Sequence, residues 1–378
     1  MSKKILFLTG TRADFGKLKP LIRAVDGSPL FECAIFVTGM HTLSRYGNTV
    51  EEVYKAGFKN IHTFRNQIHG EPMDLVLANT IGGLSRFIHE DRPDLIVVHG
   101  DRIEALAGAI VGSLNNILVA HIEGGELSGT IDESIRHSVS KLSHIHFVAN
   151  NQAAARLEQL GEKANHIFII GSPDIDVMLS DQLPSLAEVR ERYDIYFEKF
   201  GIVLYHPVTT ELDFIRDHAN QLVKALISSG QNHVVIYPNN DLGSNDILAE
   251  YKLLENNPHF RIFPSLRFEY FLTLLKNTEY IIGNSSTGIH EAPVYGVPAI
   301  NIGSRQENRF FHSTIYNVSN ECNEILEAIK VVSQITKREP CFSFGRGNST
   351  TLFMNVLEEG AIWETSKQKQ FQDLLIRQ

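Results

Sequence analysis

Two acidic residues stand just beyond apolar segments, Asp101 in Val98-His99-Gly100-Asp101-Arg102 and Glu123 in His121-Ile122-Glu123-Gly124-Gly125-Glu126, and a third, Asp132, follows in Ser128-Gly129-Thr130-Ile131-Asp132-Glu133-Ser134-Ile135-Arg136-His137. Carboxylates converging at one sheet edge suit proton transfer, because mutual repulsion and partial burial raise a carboxyl pKa toward working pH. Asp132 has a structural alternative. Thr130-x-x-Glu133 reads as a capping box, and the helix dipole favours an acid in the first turn. His206, ending the run Gly201-Ile202-Val203-Leu204-Tyr205, adds a group that gives or takes a proton near neutral pH.

Two segments suit anions. In Gly10-Thr11-Arg12-Ala13-Asp14-Phe15-Gly16-Lys17 a Gly-containing turn feeds a helix N-terminus, and Arg12 and Lys17 add full charges to its exposed N–H groups. The pattern is neither the dinucleotide G-x-G-x-x-G nor a P-loop, and an ordinary strand-to-helix turn with solvated cations is its alternative reading. In Gly283-Asn284-Ser285-Ser286-Thr287-Gly288-Ile289-His290-Glu291, hydroxyls and free N–H groups make a second cradle, with Glu291 placed to accept ribose hydroxyls. Ser285 or Ser286 as a plain helix cap is the alternative there. Arg305 puts a cation after the next apolar run, in Ile302-Gly303-Ser304-Arg305-Gln306. His144-Ile145-His146 invites a metal, but no third ligand follows at characteristic spacing, so no metal and no cofactor are expected. A serine hydrolase is disfavoured because no G-x-S-x-G elbow occurs.

The elements that must position these groups are short apolar runs with amphipathic stretches between them: Ile5–Leu8, Cys33–Val37, Leu95–Val98, Ile117–Ile122, Ile145–Val148 and Ile167–Ile170, then, after a restart at Gly201, His233–Tyr237, Phe260–Phe263, Tyr280–Ile282 and Ala299–Ile302. Unbroken apolar strands indicate parallel sheets covered on both faces. The expected fold is α/β, with two doubly wound Rossmann-like domains, 1–178 and 188–354, facing across a cleft; ligands of such sheets bind beyond the carboxyl ends of the strands. A length of 378 residues agrees with two domains. An excess of 44 acidic over 35 basic residues disfavours nucleic-acid binding. Three scattered cysteines, Cys33, Cys322 and Cys341, rule out a disulfide scaffold, and neither a signal peptide nor a membrane-spanning run is read, so a cytoplasmic protein is expected.

In combination and order these motifs resemble the hydrolysing UDP-N-acetylglucosamine 2-epimerases of sialic acid synthesis. The carriers are Gly10-Thr11-Arg12-Ala13-Asp14, Gly100-Asp101-Arg102, His121 to Glu126, Ser128 to Asp132, Ser134 to His137, His206-Pro207-Val208-Thr209-Thr210, Gly283 to Ser286 with Gly288 and Glu291, and Gly303 to Gln306. Non-hydrolysing relatives normally carry Pro-Glu after the Gly-Thr-Arg; Ala13-Asp14 stand here instead, which favours hydrolysis. The resemblance implies a GT-B-like architecture with a C-terminal helix, 355–378, joined to the first domain, and a homodimer or tetramer. It implies a nucleotide-sugar substrate, with Asp101, Glu123, Asp132 and His206 as the acid/base group. Arg12, Asn239, Ser285, Ser286, Gly288, Glu291 and Arg305 would contact the nucleotide, supported by Lys17 and Arg102. The implied chemistry is loss of the C2 proton with departure of UDP, followed by addition of water at C1 and of a proton at C2 from the opposite face. Three alternatives stay open: the same reaction on a UDP- or GDP-linked diacetamido sugar for legionaminic acid synthesis, a GT-B glycosyltransferase, and a non-catalytic nucleotide-sugar sensor.

Overall fold

The first strand shows why its apolar run lacks polar alternation. Ile5 and Phe7 pack among Phe15, Leu18 and Val97 on one side of the sheet, whereas Leu6 and Leu8 pack among Leu84, Ile96 and Val98 on the other. A strand covered on both faces has no solvent side on which a polar residue would be preferred. The structure is a computed structural model that describes residues 2–129, 131–307, 309–335 and 339–373. Its chain forms two compact units: the first takes in residues up to Leu127, Asp132–Ser180 and the chain from Ser343, the second Ser128–Ile131 and Asp181–Phe342. Among the described residues no helix is long and apolar enough to cross a membrane.

The first unit alternates strands and helices in the order β1 (Lys3–Thr9), α1 (Arg12–Asp26), β2 (Phe31–Val37), α2 (Val50–Lys55), β3 (Ile61–Thr63), α3 (Met73–Glu90), β4 (Leu95–His99), α4 (Ile103–Leu114), β5 (Leu118–Ile122), α5 (Ile131–Leu142), β6 (Ile145–Val148), α6 (Asn151–Gln159), β7 (Ile167–Ile169) and α7 (Pro173–Met178). Its strands pair in parallel in the order β3-β2-β1-β4-β5-β6-β7. The winding therefore reverses between β1 and β4, which are hydrogen-bonded neighbours, and such a switch point leaves a crevice beyond the strand ends.

The second unit runs α8 (Leu186–Tyr193), β8 (Gly201–Leu204), α9 (Ile215–Ser229), β9 (His233–Ile236), α10 (Ser244–Tyr251), β10 (Phe260–Phe263), α11 (Phe268–Asn277), β11 (Tyr280–Gly283), α12 (Glu291–Val294), β12 (Ala299–Ile302), β13 (Ile315–Val318) and α13 (Cys322–Val332). The capping box read in the sequence is present at α8, where Ser185 and Glu188 bond each other's main chain. The parallel order β10-β9-β8-β11-β12-β13 puts its switch point between β8 and β11. Every strand read in the sequence is present, and the structure adds β3 and β13, the outer strand on one edge of each sheet. Both are short and only partly buried, so neither shows an apolar run.

The chain returns to the first unit at Ser343, earlier than the expected crossover at 355. The main chain of Ser172 bonds Phe344 O, the Asp176 carboxylate accepts the N–H groups of Ser349 and Thr350 at 2.9 and 2.7 Å, and α14 (Ser349–Glu359) then inserts Phe353 against Phe7 and Phe147. The expected helix over 355–378 is corrected. α14 stops at Glu359 before Gly360, a 3₁₀ turn covers Ala361–Glu364, and Thr365–Asp373 is irregular, residues 374–378 lying outside the described residues. That tail is held by tertiary contacts in place of helical bonds: Lys369 Nζ donates to the carbonyls of Ser140, Lys141 and Ser143 and meets Glu162 at 2.5 Å.

Candidate active site

At the switch point of the first sheet the chain leaves β1 through Gly10 and enters α1 at Arg12. Thr11 caps the helix by accepting the Asp14 N–H at 3.1 Å, and the Asp14 carboxylate in turn accepts the Gly10 N–H at 2.9 Å. Asp14 is thereby aimed at the end of β4, where His99 Nδ1 lies 3.1 Å from its second oxygen. His99 Nε2 lies 3.1 Å from Glu123 Oε2, just past the end of β5. Because β4 sits between β1 and β5 in the sheet, the last residue of β4 is flanked by the chain leaving both neighbours.

Glu123 adopts φ +62°, a left-handed conformation that costs a non-glycine residue about 1–3 kcal/mol and persists only where the surroundings hold it. Its side chain is buried among donors and positive charge: Ser172 Oγ donates to Oε1, Lys17 Nζ approaches Oε1 at 3.8 Å, and His99 meets Oε2. Lys17 also meets Asp174 at 3.2 Å. Arg136, buried on α5, donates from Nη1 to the Glu123 carbonyl at 2.5 Å and from Nη2 to the Asp101 carboxylate. One guanidinium thus ties the turns after β4 and β5 together. Asp132, buried one helical turn before Arg136, lies on the same face of α5. Thr130, its expected helix cap, lies outside the described residues.

Burial lowers the basicity of His99, but the charge of Glu123 and the contacts with Asp14 outweigh it and push its pKa up to about 10. Burial is likewise outweighed at Arg136 by Asp101, Glu126 and Glu123, so its pKa goes up. His121 behaves oppositely: burial holds it well below its ordinary value, and the neutral ring donates Nε2–H to the Gly100 carbonyl at 2.8 Å while Nδ1 accepts from Ser140 at 3.0 Å. It pins the turn that carries Asp101.

Two residues expected to bind the nucleotide on this unit have acidic partners here. Arg12 Nη2 meets Glu52 of α2 at 2.7 Å, and Arg102 Nε lies 3.9 Å from the buried Glu104.

In the second unit the switch point is equally occupied. Gly283 ends β11 at φ +141°, and a Cβ there would stand 2.1 Å from the Leu204 carbonyl, so only glycine lets β11 end against β8. Asn284 then locks onto the chain leaving β8, accepting the His206 N–H at 2.6 Å and donating to the His206 carbonyl at 2.9 Å. The Asn284 carbonyl accepts from Arg305 Nη1 at 3.0 Å and Gln306 Nε2 at 2.9 Å. His206, Asn239 and Arg305 are thus brought together. The Asn239 N–H donates to His206 Nδ1 at 3.1 Å, which leaves the ring proton on Nε2. Asn239 also donates from Nδ2 to Asp241 at 2.5 Å. Ser285 serves as the cap, accepting the Thr287 N–H at 3.3 Å at the start of the 3₁₀ turn Ser286–Gly288, and buried Glu291 opens α12. Ser286 and Gly288 belong to the turn itself.

Sequence reading passed over His99, Asp14, Arg136, Ser172, Asp174 and Asn284 as site residues. His99 carried a signal, an ionisable group ending an apolar strand, and Arg136 another, standing one turn from Asp132. Among the described residues no group of three or more His, Cys, Asp and Glu could hold a metal. His144 instead accepts the Val119 N–H at 3.1 Å, and His146 donates to Glu162 at 3.1 Å.

A family model described as UDP-N-acetylglucosamine 2-epimerase matches residues 23–358. The chain belongs to the UDP-N-acetylglucosamine 2-epimerase family. A UDP-N-acetylglucosamine 2-epimerase of Neisseria meningitidis serogroup B is 52% identical, over 98% of this chain and 99% of that one. A UDP-N,N'-diacetylbacillosamine 2-epimerase (hydrolyzing) of Legionella pneumophila is 32% identical, over 93% of this chain and 94% of that one. The crystal structure of Methanocaldococcus jannaschii UDP-GlcNAc 2-epimerase with UDP-GlcNAc and UDP shares the fold at a TM-score of 0.80 and 23% identity, covering 94% of this chain and 100% of that one. In the vocabulary of this epimerase family, the two parallel sheets are the Rossmann-like domains expected from the sequence.

Proposed function

We propose that the protein hydrolyses UDP-N-acetylglucosamine to UDP and N-acetylmannosamine, inverting C2 and supplying sialic acid synthesis. The observation that carries this reading is a pair of carboxylates at the switch point of the first sheet, Asp101, held by Arg136, and Glu123, whose main-chain carbonyl the same guanidinium holds. A C2–H bond is weakly acidic, so its removal needs a placed carboxylate, and departure of UDP needs donors where negative charge develops. Asp101, Glu123 and Asp132 supply proton transfer, with Asp101 the most open of the three and Arg136 fixing it. His206, presenting Nε2–H, donates, and Asn239, Ser285, Ser286, Gly288, Glu291 and Arg305 serve the nucleotide, with Arg12, Lys17 and Arg102 in support.

The steps balance. A carboxylate takes the C2 proton as the C1–O bond breaks with its electron pair leaving on UDP, giving a C1=C2 double bond. Water then adds its oxygen to C1 and gives up one proton to a carboxylate, while a carboxylic acid returns a proton to the opposite face of C2. Support for hydrolysis over simple epimerisation comes from Ala13-Asp14 in the first loop and from the Legionella relative, whose name specifies hydrolysis.

Proton NMR of the protein with UDP-N-acetylglucosamine in deuterated water tests the reading. The expected outcome is free UDP with N-acetylmannosamine carrying deuterium at C2. Accumulating UDP-N-acetylmannosamine would overturn hydrolysis, and turnover of a UDP-linked diacetamido sugar alone would replace the substrate.

A further inference from the structure

His99 belongs to none of the roles assigned above, yet it is the hub of the first unit's polar chain. Its ring lies between two carboxylates, Nδ1 against Asp14 and Nε2 against Glu123, both at 3.1 Å. A neutral imidazole has one N–H and one lone pair, so it would turn that lone pair on one of the two carboxylates. Only the imidazolium is attracted by both at these distances. The surrounding charges alternate along the same line: Asp14, His99, Glu123, Lys17 and Asp174. Facing this line are Asp14 and Lys17 from α1, neutral His121 from β5, Glu123 from the following turn, Arg136 from α5, Asp174 from α7 and Asp101 from the turn after β4. Glu123 is held by Ser172 and Lys17 at one oxygen and by His99 at the other, so a charge on His99 acts on the oxygen that the other two do not reach.

We infer that His99 is a positioning residue for the epimerase reaction, a fixed imidazolium that Asp14 orients and that holds Glu123 as an aligned carboxylate. This inference rests on the reading of Glu123 as a proton-transfer group. An imidazolium in contact favours the ionised form of a carboxylate. Glu123 thereby enters each cycle able to accept a proton. Asp14 acts through His99, which explains why the first loop carries an acid at this position. The sign of the pH dependence follows. The imidazolium persists below its raised pKa of about 10, so the alignment is present through neutral pH and is lost as pH rises through that value.

Two measurements on the full chain test the inference. Long-range proton–nitrogen NMR of protein labelled at histidine should show one buried ring with both nitrogens protonated at about pH 8, where ordinary histidines are neutral. Its signal should shift in Glu123→Gln. A ring neutral at that pH overturns the inference, and this readout stands even if UDP-N-acetylglucosamine proves not to be the substrate. In the second measurement, His99→Gln keeps a donor near the Nε2 position but removes the charge. It should lower kcat on the order of 10²-fold with KM little changed, and move the acid limb of the pH profile upward by about one unit. Lower kcat with unmoved limbs would make His99 structural only. A wild type that turns over nothing, with the imidazolium present, would remove the proposed function and leave the charge assignment standing.

Discussion

Arg136 is the residue whose replacement separates geometry from charge. Arg136→Lys keeps the positive charge in the buried position, but a single ammonium cannot reach both the Glu123 carbonyl and the Asp101 carboxylate with the planar fork of a guanidinium. One charge-assisted hydrogen bond is lost, about 1.5–3 kcal/mol. If that loss is felt fully in the transition state, turnover falls roughly 10- to 150-fold, since about 1.4 kcal/mol is a factor of ten. The same loss in the ground state lowers stability by a similar amount. Removing the guanidinium outright would strand buried partners at about 3–5 kcal/mol, which is why lysine is the more informative change. The assay is UDP release under saturating and limiting substrate, with guanidinium unfolding alongside. The expected pattern is a reduced kcat with nearly unchanged KM, because Arg136 aligns the carboxylates and does not hold the nucleotide. Wild-type kcat in a folded Arg136→Lys protein would refute the claim that the arginine aligns these two turns.

Three further outcomes are expected. Gly283→Ala should destabilise the second unit by at least about 3 kcal/mol, since its Cβ would meet the Leu204 carbonyl at 2.1 Å in a backbone conformation closed to alanine; a melting temperature equal to wild type would contradict this. Asp176→Ala removes the acceptor of two N–H groups at the start of α14 and should cost about 1–2 kcal/mol, read as faster amide exchange over Ser349–Glu359 with turnover preserved. Burial pushes Glu162 up, but the bonds from His146 and the charge of Lys369 outweigh it and hold its pKa at about 2 against an ordinary 4.5. Its contribution is therefore present above 4.5 and lost as pH falls through about 2, so the stability gap between wild type and Glu162→Gln should close across that window in acid unfolding; a gap independent of pH would contradict the assignment.

Much of the fold was legible because both faces of each sheet are covered, which writes interior strands as unbroken apolar runs. Ile5, Leu6, Phe7 and Leu8 announce β1 whichever face each one takes. The edge strands β3 and β13 were not legible, since exposed residues such as His62 and Asn317 interrupt the pattern. The candidate carboxylates were visible as acids just beyond strand ends. Their partners were not, because the meeting of Asp14, His99 and Glu123 depends on the spatial order β1-β4-β5, and chain order does not give it. Arg136 and Asn284 act through contacts to main-chain atoms of distant segments, which leave no spacing in the sequence. The tail was misread as helix for a related reason: Lys369 is anchored by three carbonyls of another segment, so tertiary contacts take the place of local helical bonds.

The return of the chain at Ser343 has a consequence for synthesis. Phe353 and Leu357 belong to the apolar core of the first sheet, so that core stays open on one face until residues near 353 have left the ribosome. The second unit, whose sheet lies wholly within Asp181–Phe342, has all of its strands available earlier. The unit translated first is therefore completed last. For the time it takes to translate the intervening residues, Phe7 and Phe147 lack the aromatic ring that covers them, and a nascent chain in that state presents an uncovered apolar sheet to chaperones or to its neighbours on the same message.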